Sequence, residues 1–211
     1  MFDCDSTLSA IEGIDELAAG HREAIAALTD AAMRGEVSLE AVYGQRLSLI
    51  QPSRAAVDAL AAQYIAAVVP DARATVQGLM GHGVRVKILS GGLRQAILPF
   101  AEWLGVAEHD VAAVDLWFNA DGSYREFDGG SPLTRSGGKR TIVDGWRGNV
   151  PTPILMVGDG ITDLEARPAV ERFVAYAGVV DRPAVTSAAD AVIRTASLLP
   201  VLQEVLHTHR G

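Results

Sequence analysis

The chain has little cysteine, no long apolar run and no excess of positive charge. Its one cysteine, Cys4, excludes an internal disulfide and a zinc site built on cysteines. No stretch approaches the roughly 18 consecutive apolar residues of a membrane-spanning helix, so we expect no membrane association. Its 18 basic and 26 acidic residues give a net charge of −8. This balance argues against nucleic acid as a partner, because such surfaces need clustered lysine and arginine.

The first residues carry neither the basic segment nor the apolar segment of a secretory signal. Together with the single cysteine, this predicts a cytoplasmic protein. A length of 211 residues suits one α/β domain with a small insertion. Hydrophobic residues at 49% and charged residues at 21% are ordinary for a globular protein and exclude wholesale disorder.

Two regions of the chain differ in hydrophobic pattern. Residues 8–70 are rich in alanine, with apolar residues at helical spacing, which predicts three or four helices. From residue 71 onward, short β-branched runs alternate with helical stretches, which predicts a parallel sheet covered on both faces. We therefore expect a doubly wound, Rossmann-like α/β core of residues 1–7 and 71–211, with a helical cap domain inserted after the first strand. The predicted strands are 84–89, 153–157, 173–176 and 191–193, and residues 113–127 are predicted to form a β-hairpin.

Polar turns follow several predicted strands, at the edge where functional groups collect in an open parallel sheet. Each turn alone would fit an N-cap or a tight turn, but their order along one α/β chain favours a shared site. The segments are Asp3-Cys4-Asp5-Ser6-Thr7, Ser90-Gly91-Gly92, residues 158–163, and Ser136-Gly137-Gly138-Lys139 at a predicted helix start.

The chemistry that these segments could share is phosphoryl transfer. Asp3 and Asp5 lie two residues apart, so in extended backbone their side chains point the same way. One carboxylate can attack phosphorus to form an aspartyl-phosphate, and the other can protonate the leaving oxygen and later accept a proton from water. Because a carboxylate repels a phosphate dianion, a hard cation such as Mg²⁺ is needed, and Asp159 and Asp163 supply further oxygen ligands. Three groups could donate to the phosphoryl oxygens: the Ser90 hydroxyl, the Gly91 amide and Lys139.

These four segments resemble the four motifs of the haloacid dehalogenase superfamily of phosphatases. The resemblance extends to its phosphoserine phosphatase family and covers nearly the whole chain. The segments that carry this closer match are 11–17, 32–33, 45–54 and 127–139.

The resemblance implies a role for each motif residue. Asp3 is the nucleophile, Asp5 is the general acid and base, and Lys139 is catalytic and holds phosphate. Mg²⁺ is held by the carboxylates of Asp3 and Asp159 and by the backbone carbonyl of Asp5, with Asp163 supporting these ligands. The remaining groups implied in substrate binding are Ser90, Gly91, Gly92 and Thr162.

Three residues of the predicted cap bear on the substrate. The resemblance implies O-phospho-L-serine, hydrolysed to L-serine and phosphate in the last step of serine biosynthesis by a monomer or homodimer. Glu12 would take the substrate ammonium, Arg46 would take its carboxylate in a forked pair, and Met33 would close over the ligand. Each also has a plainer interpretation, as an exposed helix charge, a surface cation and a core residue of the cap.

Two other functions stay open. One is a phosphatase that acts on another small phosphomonoester, or a phosphotransferase that passes the phosphoryl group of such a substrate to an alcohol acceptor, since a fold alone does not determine a substrate. The other is a catalytically inactive regulator that binds phosphate or Mg²⁺. An inactive protein is disfavoured because the residues that could carry the chemistry are all present: Asp3, Asp5, Lys139 and Asp159.

Two departures from the family pattern lead to further expectations. Residues 113–116 stand where relatives carry an asparagine-bearing turn, which predicts the loss of a polar support. Only Met1 and Phe2 precede Asp3, where relatives have a longer apolar run. We therefore expect the α-amino group to lie against the sheet, and a form with a few more apolar residues upstream to be more stable.

Overall fold

The structure is a computed structural model that describes residues 1–18, 20–21, 23–25, 27–28 and 38–208. No helix among these residues is both long and apolar enough to cross a bilayer. The helices are α1 Gly13–Leu17, α2 Leu39–Ile50, α3 Arg54–Ala66, α4 Ala72–Gly81, α5 Arg94–Leu104, α6 Gly138–Trp146, α7 Ile161–Leu164, α8 Pro183–Thr186 and α9 Pro200–Thr208. The strands are β1 Ile88–Leu93, β2 Val111–Val114, β3 Leu116–Phe118, β4 Tyr124–Phe127, β5 Leu155–Gly158, β6 Arg172–Tyr176 and β7 Ala191–Ile193.

Phe2 joins the two halves of the central parallel sheet. Strand β1 pairs with β2, and β5 pairs with β6, which pairs with β7. Phe2 forms parallel bridges to Ile88 of β1 and to Val157 of β5, and the Asp3 N–H donates to the Val157 carbonyl at 2.9 Å. The order is therefore β2–β1–Phe2–β5–β6–β7, which places Asp3 at the centre of the sheet.

The α-amino group of Met1 lies against this sheet, as expected. It donates to the Leu155 carbonyl at 2.7 Å. Burial, with a smaller contribution from Lys87, lowers the pKa of this amino group to about 5.

Alternating strand residues divide the apolar core into two clusters. Val157 and Val174 belong to one cluster, whereas their neighbours Met156 and Phe173 belong to the other. Since successive side chains of a strand point to opposite faces of a sheet, the sheet is covered on both faces. This confirms the predicted α/β class.

Serine caps begin the two long helices of the predicted cap. The Ser38 side chain accepts from the Ala41 N–H at the start of α2, and the Ser53 side chain accepts from the Ala56 N–H at the start of α3. Between them, Gln51 ends α2 in the left-handed region with φ of 43°. The division of the chain at residues 7/8 and 70/71 stays a prediction.

The predicted strand 84–89 and the predicted turn 90–92 are both wrong in extent. Strand β1 begins at Ile88 and runs through the glycines to Leu93. Its pairing continues because β2 runs beside it, with Leu93 opposite Val114 and a register irregularity after Leu89. Such irregularities are common near active sites, where they redirect side chains.

The hairpin is shorter than predicted. Strands β3 and β4 pair in antiparallel fashion, but Val114 belongs to β2 of the parallel sheet. The expected loss of polar support beside this segment is offset by Gln95 of α5. Its side chain donates to the Leu116 carbonyl at 2.9 Å and accepts from the Leu116 N–H at 3.1 Å.

Candidate active site

Three buried carboxylates meet at the carboxyl edge of the sheet. Asp3 follows Phe2, Asp159 follows β5, and Asp163 lies on the single turn α7. Each offers an oxygen within 4.8 Å of the other two. A cluster of oxygen donors without nitrogen or sulfur is the kind of site that hard cations prefer, so these residues fit a divalent metal ion.

Lys139 neutralises part of this negative charge. Its Nζ lies 2.7 Å from Asp3 Oδ1 and 2.6 Å from Asp163 Oδ1. Burial alone would lower the pKa of Lys139, but attraction to Asp163 and Asp3 outweighs burial and raises it above its usual value. The side chain is therefore an ammonium. It is aimed into the site from the first turn of α6, which follows Gly137 with φ of 70°.

The three carboxylates differ in how many of their oxygens are already engaged. Asp163 accepts from Lys139 at Oδ1 and from the Gly160 N–H at Oδ2, at 2.6 and 2.9 Å. Within the described residues, the contacts of Asp3 converge on Oδ1, which accepts from the Cys4 N–H at 2.8 Å and from Lys139. Asp3 Oδ2 is therefore able to contact a cation or a phosphorus atom, whereas both oxygens of Asp163 are engaged in hydrogen bonds that hold the neighbouring groups in place.

Asp5 lies at the junction between the sheet edge and the helices. Its Oδ1 accepts from the Tyr64 hydroxyl at 2.7 Å and from the Gly13 N–H at 2.8 Å. Its Oδ2 lies 3.3 Å from Ser90 Oγ. Burial and then the charge of Asp3 raise the pKa of Asp5 to about 6, which suits a group that both gives and takes a proton near neutral pH.

A cavity of about 250 Å³ opens over these residues. Ser90 and Asp163 are fully buried and do not line the cavity. Met33 lies outside the described residues. The other residues predicted for the site line the cavity: Asp3, Asp5, Glu12, Arg46, Gly91, Gly92, Lys139, Asp159 and Thr162.

Glu12 and Arg46 reach this cavity from the predicted cap. Glu12 Oε1 accepts from Ser6 Oγ at 2.7 Å, and burial followed by the charge of Asp5 raises the pKa of Glu12 to about 7. Arg46 pairs with Asp15 through one guanidinium nitrogen. Its Nε is buried and finds no hydrogen-bond partner among the residues that the structure describes. An unpaired buried donor is costly, so this atom is a candidate for contact with an anionic ligand.

Arg182 and Tyr43 are among the residues of this cavity that were not predicted. Arg182 lies in the loop after β6, where its Nε donates to Asp159 Oδ2 at 2.9 Å and its guanidinium lies 3.8 Å from Glu12. The Tyr43 hydroxyl of α2 donates to the Gly91 carbonyl at 2.9 Å. The signal that could have found Arg182 is its place at the carboxyl edge of a parallel strand.

The sequence of this chain is similar to those of known proteins. The family model described as haloacid dehalogenase-like hydrolase matches residues 1–170. The chain is 40% identical over 197 residues to the chloroplastic phosphoserine phosphatase of Arabidopsis thaliana, covering 91% of this chain and 67% of that protein. It is 38% identical over 207 residues to the phosphoserine phosphatase of Bos taurus, covering 96% and 92%.

The fold is also similar to that of a solved structure. A phosphoserine phosphohydrolase-like protein from Francisella tularensis superposes with a TM-score of 0.83 at 26% sequence identity, covering 97% of both chains. The likeness therefore extends over the sheet and the helices that surround the cavity.

Proposed function

Since the chain belongs to the haloacid dehalogenase-like hydrolase family, we propose that it is a Mg²⁺-dependent phosphoserine phosphatase. One observation carries the proposal. Glu12 and Arg46, which suit an ammonium and a carboxylate, line the same cavity as Asp3 and Lys139, which suit a phosphoryl group. Phosphoserine carries all three groups. The two named phosphatases, from a plant and from cattle, support the same substrate.

The phosphoryl group is held by positive charge and backbone donors. The Lys139 ammonium supplies a point charge beside the attacking carboxylate. The Gly91 and Gly92 segment lines the cavity, with the Gly92 N–H donating to Ser90 Oγ at 2.9 Å, which fixes the Ser90 hydroxyl. Thr162 contacts the substrate from the start of α7.

Asp3 attacks phosphorus with Oδ2, because Oδ1 is held by the Cys4 N–H and by Lys139. The bond between phosphorus and the serine oxygen breaks, and Asp5 gives its proton to that oxygen, so that L-serine leaves. Asp5 then takes a proton from water as the water attacks phosphorus. Phosphate leaves, and the carboxylate of Asp3 and the proton of Asp5 are restored.

Mg²⁺ fits the oxygen donors of the site. The carboxylates of Asp3 and Asp159 and the backbone carbonyl of Asp5 would hold it, and Asp163 would keep these ligands in place. When bound, the cation neutralises charge on the phosphoryl oxygens and so reduces their repulsion of the nucleophile.

Glu12 and Arg46 select the amino-acid part of the substrate. Glu12 takes the ammonium, and Arg46 takes the carboxylate through the guanidinium edge that carries its unpaired Nε. Met33 is proposed to close over the ligand. The reaction would belong to serine biosynthesis, in the cytoplasm, in a monomer or homodimer.

Release of phosphate from a panel of phosphorylated metabolites, with and without Mg²⁺, tests the proposal. O-phospho-L-serine should be hydrolysed with the highest kcat/KM, and a chelator should abolish the activity. Preference for another phosphomonoester would leave a phosphatase with a different substrate. Absence of turnover on every member would favour a protein that only binds phosphate or Mg²⁺.

A further inference from the structure

We propose that Tyr64 is a positioning residue that determines which oxygen of Asp5 carries the transferable proton. The inference rests on the proposed function, in which Asp5 protonates the leaving oxygen. Tyr64 lies near the end of α3, 59 residues away from Asp5 in sequence. A helix of the predicted cap would thus prepare the general acid of the core.

Two donors converge on one oxygen of Asp5. The Tyr64 hydroxyl and the Gly13 N–H both donate to Oδ1, at 2.7 and 2.8 Å. An oxygen that accepts two hydrogen bonds has used both of its in-plane lone pairs. While the Tyr64 hydroxyl donates to Oδ1, no in-plane lone pair of Oδ1 remains for the acid proton, which is therefore directed to Oδ2. Oδ2 lies on the side of the phosphate-binding segment, where the Ser90 hydroxyl donates to it at 3.3 Å.

The aromatic core holds the Tyr64 hydroxyl in place. The Tyr64 ring is fully buried and stacks on Phe100 with ring centroids 5.8 Å apart and an interplanar angle of 14°. Phe100 in turn stacks on Trp103 at 6.2 Å. Only the hydroxyl of the Tyr64 side chain makes a polar contact with Asp5. Removing the hydroxyl therefore removes this hydrogen bond and keeps the stacking of the ring on Phe100.

Gly13 and Tyr64 are matched to one another. A Cβ at position 13 would lie 2.0 Å from the Tyr64 hydroxyl oxygen and 2.8 Å from its ring carbon. Because neither the ring nor the hydroxyl can shift without leaving the stack or Asp5, position 13 needs glycine. This close approach lets a backbone N–H and a side-chain hydroxyl reach the same oxygen.

Tyr64→Phe tests the inference through the leaving group. Loss of one hydrogen bond to an ionisable group should lower kcat/KM for O-phosphoserine by about tenfold to a hundredfold. The value for p-nitrophenyl phosphate should change less than about threefold, because a good leaving group needs little protonation. kcat/KM is the appropriate quantity, because it reports steps up to release of the leaving group.

Tyr176→Phe is the matched control. Tyr176 is also buried, and its hydroxyl donates to the Ala196 carbonyl at 2.6 Å, outside the cavity. The Tyr176→Phe variant should have a lower melting temperature but an unchanged ratio of kcat/KM for O-phosphoserine to kcat/KM for p-nitrophenyl phosphate. Gly13→Ala, which displaces the Tyr64 hydroxyl, should change that ratio in the same direction as Tyr64→Phe.

Each result decides between a positioning role and a structural one. Equal losses on both substrates in Tyr64→Phe, or no loss on either, would overturn the inference. The same outcome in Gly13→Ala would overturn it if Tyr64→Phe failed to fold. Failure of the proposed function is distinguishable, because the wild-type protein would then fail to hydrolyse O-phosphoserine, whether or not it hydrolyses p-nitrophenyl phosphate.

Discussion

The ammonium of Lys139 lies 2.7 Å from Oδ1 of Asp3, and both side chains are almost excluded from solvent. The contact orients the carboxylate that is proposed to attack phosphorus. It also offsets repulsion among the clustered carboxylates, which would otherwise oppose folding without a bound cation.

Lys139→Met should therefore destabilise the protein and make it depend on Mg²⁺. Removing one partner of a buried ion pair costs about 3–5 kcal/mol, or roughly 6–20 °C in melting temperature for a chain of this size. Mg²⁺ should raise the melting temperature of this variant more than that of the wild type, because the cation neutralises carboxylates that are no longer paired with the Lys139 ammonium.

Lys87→Met provides the control for this measurement. Lys87 is also buried and paired, with Nζ 2.6 Å from Asp110 Oδ1, but it lies outside the cavity. Its variant should lose stability, yet gain no more from Mg²⁺ than the wild type gains. An equal Mg²⁺-induced shift in Lys139→Met and the wild type would contradict the placement of the cation.

Asp5→Asn should slow turnover without abolishing it. The amide keeps the backbone carbonyl proposed to bind Mg²⁺ but cannot transfer a proton, and general acid–base catalysis contributes about 10²–10⁴-fold. We expect a loss in that range in kcat/KM for O-phosphoserine and a smaller one for p-nitrophenyl phosphate. Equal losses would remove Asp5 from the role of general acid.

Arg46→Ala and Glu12→Gln should reduce the selectivity for an amino-acid substrate. Loss of one side of a charge-assisted pair costs about 1.5–3 kcal/mol, or about tenfold to a hundredfold in kcat/KM. The loss should fall on O-phosphoserine and largely spare p-nitrophenyl phosphate, which lacks the ammonium and carboxylate.

Arg54→Ala is the control for Arg46→Ala. Arg54 lies on the neighbouring helix α3, with its guanidinium 4.7 Å from the centre of the Phe118 ring, and does not line the cavity. Its removal should leave the ratio of the two kcat/KM values unchanged. If Arg46→Ala lowers activity equally on both substrates, Arg46 supports the cap and does not select the substrate.

The stability of the metal-free protein should depend on Glu12 between pH 5 and 7. Burial raises the pKa of Glu12 to about 7, whereas the unfolded value is about 4.3. In this window the folded state binds more protons than the unfolded state, so the free energy of unfolding falls as pH rises. Melting curves in a chelator should show this fall, and Glu12→Gln should reduce it. A slope unchanged by the substitution would show that Glu12 keeps its charge throughout the window.

The gathering of Asp3, Asp159, Asp163 and Lys139 could be predicted from the sequence, since parallel strands end at one edge of a sheet. Each lies within a few residues of a strand end or a helix start, so local pattern is sufficient to place it. The contacts of Tyr43, Tyr64 and Arg182 could not be predicted in the same way. They span 48, 59 and 23 residues, and depend on how the helices and loops pack over the sheet.

The path of β1 shows a second limit of local pattern. Two adjacent glycines after an apolar run indicate a turn, but here they remain in the strand. The reason is the neighbouring strand β2, whose pairing reaches Leu93 after an irregularity in register. A partner strand that lies more than ten residues further along the chain therefore overrides the local preference.

Acid-quenched reaction of the wild-type protein with O-phosphoserine and Mg²⁺, followed by mass spectrometry, tests the central claim most directly. The account predicts phosphate attached to Asp3, sensitive to hydroxylamine as an acyl phosphate is, and no attached phosphate or turnover in Asp3→Asn. Phosphate on another residue would contradict the account. So would hydrolysis by Asp3→Asn at more than about 1% of the wild-type rate once deamidation is excluded, a rate ratio that corresponds to a barrier difference of roughly 3 kcal/mol.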